Sequence, residues 1–349
     1  SRMASRTWTL TDVDSDVYVE EVEISPDDAE MAATGLSINK RRLRGGLRDG
    51  VDVVEVDNGQ YRFTVVPTRG MGVWRAAMGD VELGWRSPVR GPVHPAFVPV
   101  AEAGGLGWLD GFDELLVRCG LESNGAPEFN DDGTVRYPLH GKIANIPAQK
   151  VEVGVEGESG QIAVTGVVDE TRLFFNKLRM TSVYKTAVGQ PGMTVTDTIT
   201  NISAEPSELE LLYHTNFGVP FLNPGSKVVL PVKTVAPRDA EAVGNLAEWD
   251  TYGPETPGSA EAVFFFELAA DVVGHTRAVL RNAAGDRGVS LRFTKTQLPC
   301  FTLWKSRQAA VDGYVTGLEP AINFPNARSF EKEKGRMAVL QPGESRTFE

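Results

Sequence analysis

The chain has 349 residues, of which 41% are hydrophobic, and this length suits one large β domain or two smaller ones. The formal net charge of −12 argues against nucleic acid and anionic membranes as partners. No apolar run reaches about 18 residues and the N-terminus lacks the apolar segment of a secretion signal, so we expect a cytoplasmic protein without a membrane span. Cys119 and Cys300 stand far apart and form no CxxC pair, which indicates buried free thiols.

The first part of the chain combines strand and helix signals. Alternating or β-branched apolar runs predict strands at residues 17–24, 51–56, 61–66, 73–78 and 81–85. Asn58-Gly59 joins the second and third of these runs, a pair typical of a tight hairpin. Ser25 followed by Pro26 predicts the start of a short helix that Gly35 would end. Residues 108–119 have apolar side chains at helical spacing and predict a helix, on which Asp113 and Arg118 would be neighbours.

Beyond residue 150 the pattern is almost entirely β. Candidate strands lie at residues 151–155, 162–168, 173–184, 193–199, 209–217, 227–232, 262–268, 277–280, 289–293, 301–304, 313–318 and 337–340. Strands at this frequency, with turn residues between them, indicate an all-β protein built as a large two-sheet antiparallel sandwich with a few short helices. We expect a single domain over residues 1–349, with residues 1–50 as an N-terminal extension packed on it.

The sequence carries no recognisable metal or cofactor motif. Its four histidines show neither HxH nor HExxH spacing, so we expect no metal site. No GxSxG, phosphate loop or dinucleotide fingerprint occurs, because the glycine-rich stretch near Gly104 lacks the necessary strand and helix context. We therefore expect no cofactor.

Three residues combine a titratable side chain with a position at a strand end or in a loop. His214 arrives where the apolar pattern of the candidate strand 209–217 gives way to Gly and Pro, a place where a side chain is held firmly yet can meet a ligand. His140 precedes Gly141, which lets backbone approach an imidazole closely. Glu319 ends another apolar strand before Pro320. The alternatives are a core histidine, a loop histidine bonded to carbonyl groups and an exposed charge beyond the sheet.

Three further residues are weaker candidates for binding a substrate. Arg69 follows a strand and stands between small residues, which suits a guanidinium directed at oxygen atoms or a surface arginine. Lys177 suits a surface position better than a site. Trp304 could stack on a sugar ring, although its apolar neighbours favour a place in the core.

Four motifs, taken together with their order along the chain, resemble those of a known enzyme family. The chain has an early His-Gly in Leu139–Gly141, a later His-Thr-x-Phe in Tyr213–Phe217 and a late Glu-Pro in Leu318–Pro320, as do the aldose 1-epimerases, or galactose mutarotases. Arg69–Met71 and the segment His140–Ala148 resemble more closely an uncharacterised branch of that superfamily. The resemblance covers roughly residues 50 to 345 and implies the galactose mutarotase-like sandwich known as a supersandwich.

The resemblance also implies roles for individual residues. Glu319 would be the general base at the anomeric hydroxyl, and His214 the general acid at the ring oxygen. His140 would hydrogen-bond the sugar near that oxygen, and Arg69 would bind a sugar hydroxyl. The family's sugar-binding Asp-His is missing from residues 262–268, which disfavours ordinary galactose or glucose.

The expected activity is interconversion of the anomers of a monosaccharide or sugar derivative by a monomer or homodimer. Such chemistry suits a carboxylate and an imidazole, because ring opening removes a proton from one oxygen and delivers one to another. Two alternatives remain: a carbohydrate lyase or hydrolase on the same fold, for which two carboxylates would be usual, and a sugar-binding protein without catalysis.

Overall fold

A computed structural model describes residues 5–28 and 35–349 of the chain. Within these residues it has 25 strands. In chain order they are β1 Ser5–Asp12, β2 Val17–Tyr18, β3 Val22–Ile24, β4 Ser37–Arg42, β5 Asp52–Asp57, β6 Tyr61–Val66, β7 Gly72–Met78, β8 Val81–Leu83, β9 Leu116–Leu121, β10 Glu128–Phe129, β11 Val135–Tyr137, β12 Lys150–Glu156, β13 Gln161–Thr171, β14 Lys177–Ala187, β15 Thr194–Asn201, β16 Ser207–Gly218, β17 Lys227–Val229, β18 Val232–Pro237, β19 Ala262–Leu268, β20 His275–Arg281, β21 Gly288–Thr294, β22 Cys300–Arg307, β23 Tyr314–Ala321, β24 Ala338–Leu340 and β25 Ser345–Phe348.

Helices are short in the described residues. The α-helices are α1 Glu102–Gly105, α2 Ala240–Gly244 and α3 Arg328–Glu333. Single 3-10 turns occur at Gly46–Arg48, Pro67–Arg69, Pro95–Phe97, Gly107–Gly111, Ile143–Asn145 and Leu246–Glu248. No helix in the described ranges is long and apolar enough to cross a membrane.

Two large sheets form the body of the protein. The larger has 13 strands in the order β18-β19-β22-β23-β16-β9-β7-β6-β5-β4-β3, with β24 added beside β16 and β8 beside β7. The other has seven strands in the order β2-β1-β12-β13-β14-β15-β25. Smaller sheets join β17, β20 and β21, and β10 with β11. This arrangement confirms the predicted all-β antiparallel sandwich with a few short helices.

The core lies between the seven-stranded sheet and one face of the large sheet. Buried and partly exposed residues alternate along β13 and β14, as expected for strands with one face on the core. A buried ion pair also links the sheets, because Arg118 of β9 donates to Asp197 of β15 with an Nη2–Oδ1 distance of 2.9 Å. Tyr213 of β16 donates to the same carboxylate at 2.6 Å. Its chain neighbour His214 must therefore point away from this core, to the other face of the large sheet.

The predicted helix at residues 108–119 was wrong. The structure has a 3-10 turn at Gly107–Gly111 and then strand β9, in which all six residues are buried. A strand covered on both faces is apolar at consecutive positions, so its pattern cannot be told from that of a buried helix. As a result Asp113 and Arg118 are not helical neighbours: Arg118 pairs with Asp197, and Asp113 accepts a bond from Trp74.

Near the N-terminus the predictions have mixed outcomes. The helix expected after Ser25 would continue into residues 29–34, which lie outside the described residues. Strands β1 and β2 belong to the seven-stranded sheet, while β3 and β4 extend the large sheet. The single-domain assignment stays a prediction. Cys119 and Cys300 are buried free thiols, as expected.

Candidate active site

His214 and Glu319 lie side by side on neighbouring strands. The pairing of Thr215 with Leu318, and of Leu212 with Ala321, places His214 of β16 directly opposite Glu319 of β23. Their side chains meet with 3.2 Å between Nε2 and Oε1. Both residues are almost completely buried, at 4% and 2% exposure. Two residues more than 100 positions apart are thus brought into hydrogen-bond contact by strand register alone.

The other ring nitrogen of His214 contacts Asn216. The distance from Nδ1 to the side-chain oxygen Oδ1 of Asn216 is 2.5 Å. The amide nitrogen of Asn216 donates to the backbone carbonyls of Glu114 and His214, each at 3.1 Å. Both ring nitrogens of His214 therefore have defined partners.

Burial governs protonation of the pair. It lowers the pKa of His214 to about 3, with a further contribution from the nearby His140. Burial also raises the pKa of Glu319 well above its ordinary value, and the Glu261 carboxyl group adds to this. Both shifts favour the state in which Glu319 carries the proton between the two side chains and donates it to Nε2 of a neutral His214.

His140 lies beside this pair. Its ring centroid is 5.5 Å from that of His214. Nδ1 donates to the backbone carbonyl of Asn124 at 2.8 Å, which leaves Nε2 as the acceptor in the neutral ring. Burial lowers the pKa of His140 to about 4. The residue has φ of 59°, and a Cβ on Gly141 would stand 2.1 Å from the carbonyl oxygen of Ser123, so the tight turn requires glycine after the histidine.

Aromatic side chains surround the histidines. The ring centroids of Trp304 and Phe112 lie 5.4 Å and 5.1 Å from that of His214. The Trp108 ring packs 4.6 Å from His140. Trp304 is partly exposed, and its indole nitrogen donates to Glu261 at 2.7 Å. Aromatic rings thus surround the buried pair, and one of them, that of Trp304, stays partly exposed.

Three buried polar atoms around the pair have no hydrogen-bond partner among the described residues. They are Oε2 of Glu319, Oγ1 of Thr302 and Nε1 of Trp108. Thr302 of β22 lies directly across from Glu319. Buried polar groups are normally satisfied, because leaving one without a partner costs about 1–3 kcal/mol. Unpaired donors and acceptors next to a His–Glu pair are suited to bind the hydroxyl groups of a ligand.

Arg69 lies in a buried layer behind the site. Its Nε contacts the carboxylate of Glu114, and its Nη1 donates to the carbonyl of Val93 at 3.1 Å and to Asn145 at 2.9 Å. The residue is only 1% exposed. These contacts hold the guanidinium in a buried ion pair, and none of them is to His214 or Glu319; the role of Arg69 in binding a sugar stays a prediction.

Lys177 is not brought together with the other candidates. It begins strand β14 of the seven-stranded sheet, and its Nζ donates to the carbonyl of Phe175 in the preceding turn at 3.0 Å. His214 points to the opposite side of the large sheet. The local sequence around Lys177 gave no information about which sheet its strand would join.

Several residues of the site were missed by sequence reasoning. Asn216 and Thr302 were detectable in principle, since each stands two positions from a candidate on the same strand and therefore shares its face. Trp108 and Phe112 were assigned to a helix. Glu261 offers no local signal, because its position follows from a loop that returns to the strands.

Glu261 stands immediately before β19, the stretch in which the expected Asp-His is missing. Its carboxylate accepts from Trp304 and, at 3.2 Å, from Nη2 of Arg238. Arg238 also donates to Asp239 at 2.8 Å. An acidic side chain is thus present at the edge of the site, although from a different position.

The site shows no arrangement for a metal ion. No group of three or more His, Cys, Asp or Glu side chains suited to hold one is found in the ranges that the structure describes.

Comparison with known proteins defines the family. A family described as a domain of unknown function, DUF4432, matches residues 48–349. The structure is similar to that of a protein described as a putative aldose 1-epimerase from Klebsiella pneumoniae, with a TM-score of 0.96 and 34% identity over 99% of this chain and 90% of that one. The chain belongs to the DUF4432 family. No curated protein matches it.

More distant structures share the fold. A galactose mutarotase-like protein from Clostridium acetobutylicum has a TM-score of 0.61 at 18% identity, over 90% of this chain and 97% of that one. A galactose 1-epimerase from Lactobacillus acidophilus has a TM-score of 0.53 at 12% identity, over 90% and 97%. The fold is therefore that of the galactose mutarotase-like proteins, as the motifs predicted.

Proposed function

We propose that the protein is an aldose 1-epimerase-like isomerase that interconverts the anomers of a sugar or sugar derivative. The observation that supports this most strongly is the 3.2 Å contact between His214 and Glu319 in a buried, aromatic-walled site. Mutarotation moves protons at the anomeric hydroxyl and the ring oxygen, which are bonded to the same carbon. An acid and a base that serve both oxygens must therefore be neighbours.

The proposed reaction uses the single mobile proton that the pair holds. With this proton on Nε2 of His214, Glu319 takes the proton of the anomeric hydroxyl while His214 protonates the ring oxygen. The bond between the anomeric carbon and the ring oxygen breaks, and the anomeric C–O bond becomes a carbonyl. Rotation of the aldehyde and reversal of both transfers then closes the ring on the other face. Each positioned proton transfer contributes about 10²–10⁴-fold.

Burial assists the ring-opening step in this scheme. After opening, Glu319 is protonated and His214 is neutral, which is the distribution that the pKa shifts favour. The starting distribution has a carboxylate and an imidazolium, and it needs support from the substrate. Sugar hydroxyls that donate to the unpaired Oε2 of Glu319 would provide that support.

The charges around the site favour an uncharged sugar over a phosphorylated one. Arg238 is held between the carboxylates of Asp239 and Glu261, and Arg69 is paired with Glu114. Neither guanidinium is therefore available as an unpaired cation for a phosphate, which would also meet the carboxylate of Glu261.

The test is NMR exchange spectroscopy of the two anomers with a panel of neutral aldoses, uronic acids and sugar phosphates. Wild-type protein should accelerate exchange for a neutral sugar, and Glu319→Gln, which keeps the shape but cannot exchange a proton, should reduce kcat by about 10²–10⁴-fold. Glu267→Gln, a change on the surface of β19, serves as control.

Three results would contradict the proposal. Full activity of Glu319→Gln would contradict the assigned base. Sugar binding by the wild type without acceleration of exchange would indicate a binding protein. Release of an alcohol or an unsaturated product from glycosides would indicate a hydrolase or lyase.

A further inference from the structure

Asn216 and His214 form a pair on one strand that the proposed reaction does not yet explain. They stand two positions apart on β16, so their side chains emerge on the same face. Their contact of 2.5 Å is shorter than the 3.2 Å contact between His214 and Glu319. Asn216 is fully buried.

The hydrogen bonds determine which way the Asn216 amide points. Its Nδ2 lies 3.1 Å from the backbone carbonyls of Glu114 and His214, and carbonyls only accept. Nδ2 must therefore be the donor in both bonds, and the atom that faces the imidazole must be the oxygen Oδ1. A flipped amide would place an oxygen against two carbonyls and an NH2 group against the ring.

This orientation determines the tautomer of His214. Because an amide oxygen only accepts, Nδ1 must carry a proton. In the neutral imidazole Nε2 is then a bare acceptor, directed at Oε1 of Glu319. The contact between Nε2 and Oε1 therefore contains a proton only if Glu319 is protonated or the ring is an imidazolium, and both states contain the mobile proton that the reaction needs.

The other tautomer would not suit the reaction. If the single proton of a neutral ring lay on Nε2, it would point at Oε1 and stabilise the carboxylate of Glu319. The His214–Glu319 pair would then hold one proton fewer than in the Nδ1–H tautomer with Glu319 protonated. Its only acid would be a neutral imidazole, which gives up a proton far less readily than an imidazolium or a carboxylic acid.

We propose that Asn216 is a positioning residue that holds His214 in the Nδ1–H tautomer and so keeps one mobile proton between His214 and Glu319. The inference rests on the function proposed above, because the mobile proton that Asn216 maintains is the one that its acid and base exchange. Asn216 acts through the imidazole and does not itself touch the sugar.

The amide is held by the same segment that carries the aromatic wall. The Glu114 carbonyl accepts from Asn216 and also from the indole nitrogen of Trp85 at 3.0 Å. The backbone nitrogen of Asn216 donates to the carbonyl of Leu115. Residues 112–115 therefore position Phe112 against the His214 ring and fix the amide behind it.

The experiment combines imidazole ¹⁵N NMR with anomer-exchange kinetics on wild type, Asn216→Leu, Asn216→Asp and Thr215→Val. The chain has only four histidines, so the His214 signals can be assigned by single His substitutions. Two-bond ¹⁵N–¹H couplings report which ring nitrogen is protonated. Thr215→Val changes the same strand on its opposite face and serves as the matched control.

Wild type and Thr215→Val should show the Nδ1–H tautomer and equal kinetics. Asn216→Leu should shift the signals toward the Nε2–H tautomer and lower kcat by about 10²–10⁴-fold with KM unchanged. Asn216→Asp keeps an acceptor, so it should retain the Nδ1–H tautomer and recover much of kcat. The acid limb of its pH profile of kcat should move to higher pH, because a carboxylate at residue 216 stabilises the imidazolium of His214.

Three results would overturn the inference: an Nε2–H tautomer in wild type, wild-type kcat in Asn216→Leu, or loss of kcat without a change of tautomer. If Asn216→Leu fails to fold, the wild-type tautomer and the pH profile of Asn216→Asp decide whether Asn216 sets the tautomer of His214. If wild type catalyses no anomer exchange, the proposed function fails, while the tautomers of wild type and variants still test the role of Asn216.

Discussion

Gly317 lies so close to Glu319 that a Cβ atom on the glycine would stand 2.8 Å from Oε2 of the glutamate. The same Cβ would be 3.1 Å from Cε1 of His214 and 3.2 Å from Cε3 of Trp304. The absence of a side chain at residue 317 gives the His214–Glu319 pair and the tryptophan their space.

Gly317→Ala should therefore impair the site without unfolding the protein. The φ angle of Gly317 is not in the left-handed region, so the effect is steric, and overpacking of this kind costs about 1–3 kcal/mol. We expect kcat/KM for anomer exchange to fall by about 10-fold to 100-fold. Gly244→Ala, where a Cβ meets nothing within 4 Å, should leave kcat/KM unchanged. Equal activity of both variants would show that the close approach has no catalytic consequence.

The rate should be insensitive to pH around the ordinary pKa of histidine. Burial lowers the pKa of His140 to about 4 and that of His214 to about 3, while it raises the pKa of Glu319. Over that window the pair keeps one mobile proton. The pair gains a second mobile proton below the lowered pKa of His214, and it loses its single mobile proton above the raised pKa of Glu319. A profile of kcat/KM from pH 4.5 to 9 should lack a limb near pH 6.5, and such a limb would contradict the assignment.

Thr302→Val should stabilise the free protein and weaken substrate binding. The Thr302 hydroxyl is buried without a partner, and an isosteric apolar group removes a cost of about 1–3 kcal/mol. A hydroxyl that binds substrate contributes about 0.5–1.5 kcal/mol, so KM should rise by about 2-fold to 12-fold. Urea denaturation without sugar and KM with sugar provide the two readouts. A variant that is stabilised and binds normally would exclude Thr302 as a ligand.

Glu210 should make the free energy of unfolding decrease with pH. Burial raises the pKa of its carboxyl group to about 8, whereas the group ionises near 4.5 in the unfolded chain. Between these values the folded state holds the extra proton, so the stabilisation present at low pH is lost as pH rises toward 8. Glu210→Gln removes this dependence. The difference in unfolding free energy between variant and wild type should grow with pH from 5 to 8, by at most about 1.4 kcal/mol per pH unit.

Urea denaturation of both proteins at four pH values in this range measures that difference. Parallel curves would show that Glu210 titrates normally. The side chain contacts Asn323, whose amide pairs with Asn124, so Glu210 belongs to the network behind His140.

Arg69→Met should destabilise the protein strongly, because Glu114 would remain buried and unpaired. Breaking a buried ion pair on one side costs about 3–5 kcal/mol. The double variant Arg69→Met with Glu114→Gln should recover part of this loss and keep the wild-type KM if Arg69 is structural. A large rise in KM in a well-folded double variant would restore Arg69 as a sugar ligand.

The site was more accessible to sequence reasoning than one of the strands beside it. His214 and Glu319 are recognisable because each stands where an apolar run gives way, and His140 because a glycine follows it. The sequence of strand β9, which pairs with the strand of His214, predicts a helix because burial on both faces removes the alternation that identifies a strand.

Other features depend on information that no local pattern contains. Lys177 is a weak candidate that the sequence cannot exclude, because neighbouring residues do not indicate which of two sheets a strand joins. Glu261 was missed because a loop, not a periodic element, brings its carboxylate to Trp304. Contacts between residues far apart in the sequence determine both the sheet that the Lys177 strand joins and the position of the Glu261 carboxylate.

The antiparallel register that sets His214 opposite Glu319 limits how this site can diversify. Slipping either strand by one residue would turn one partner to the other face, so the spacing of the proton-handling groups cannot be adjusted gradually. Under the proposed function, a new sugar specificity must therefore arise through the connecting segments that carry Trp108 and Glu261, while the His214–Glu319 pair is inherited unchanged with the strands.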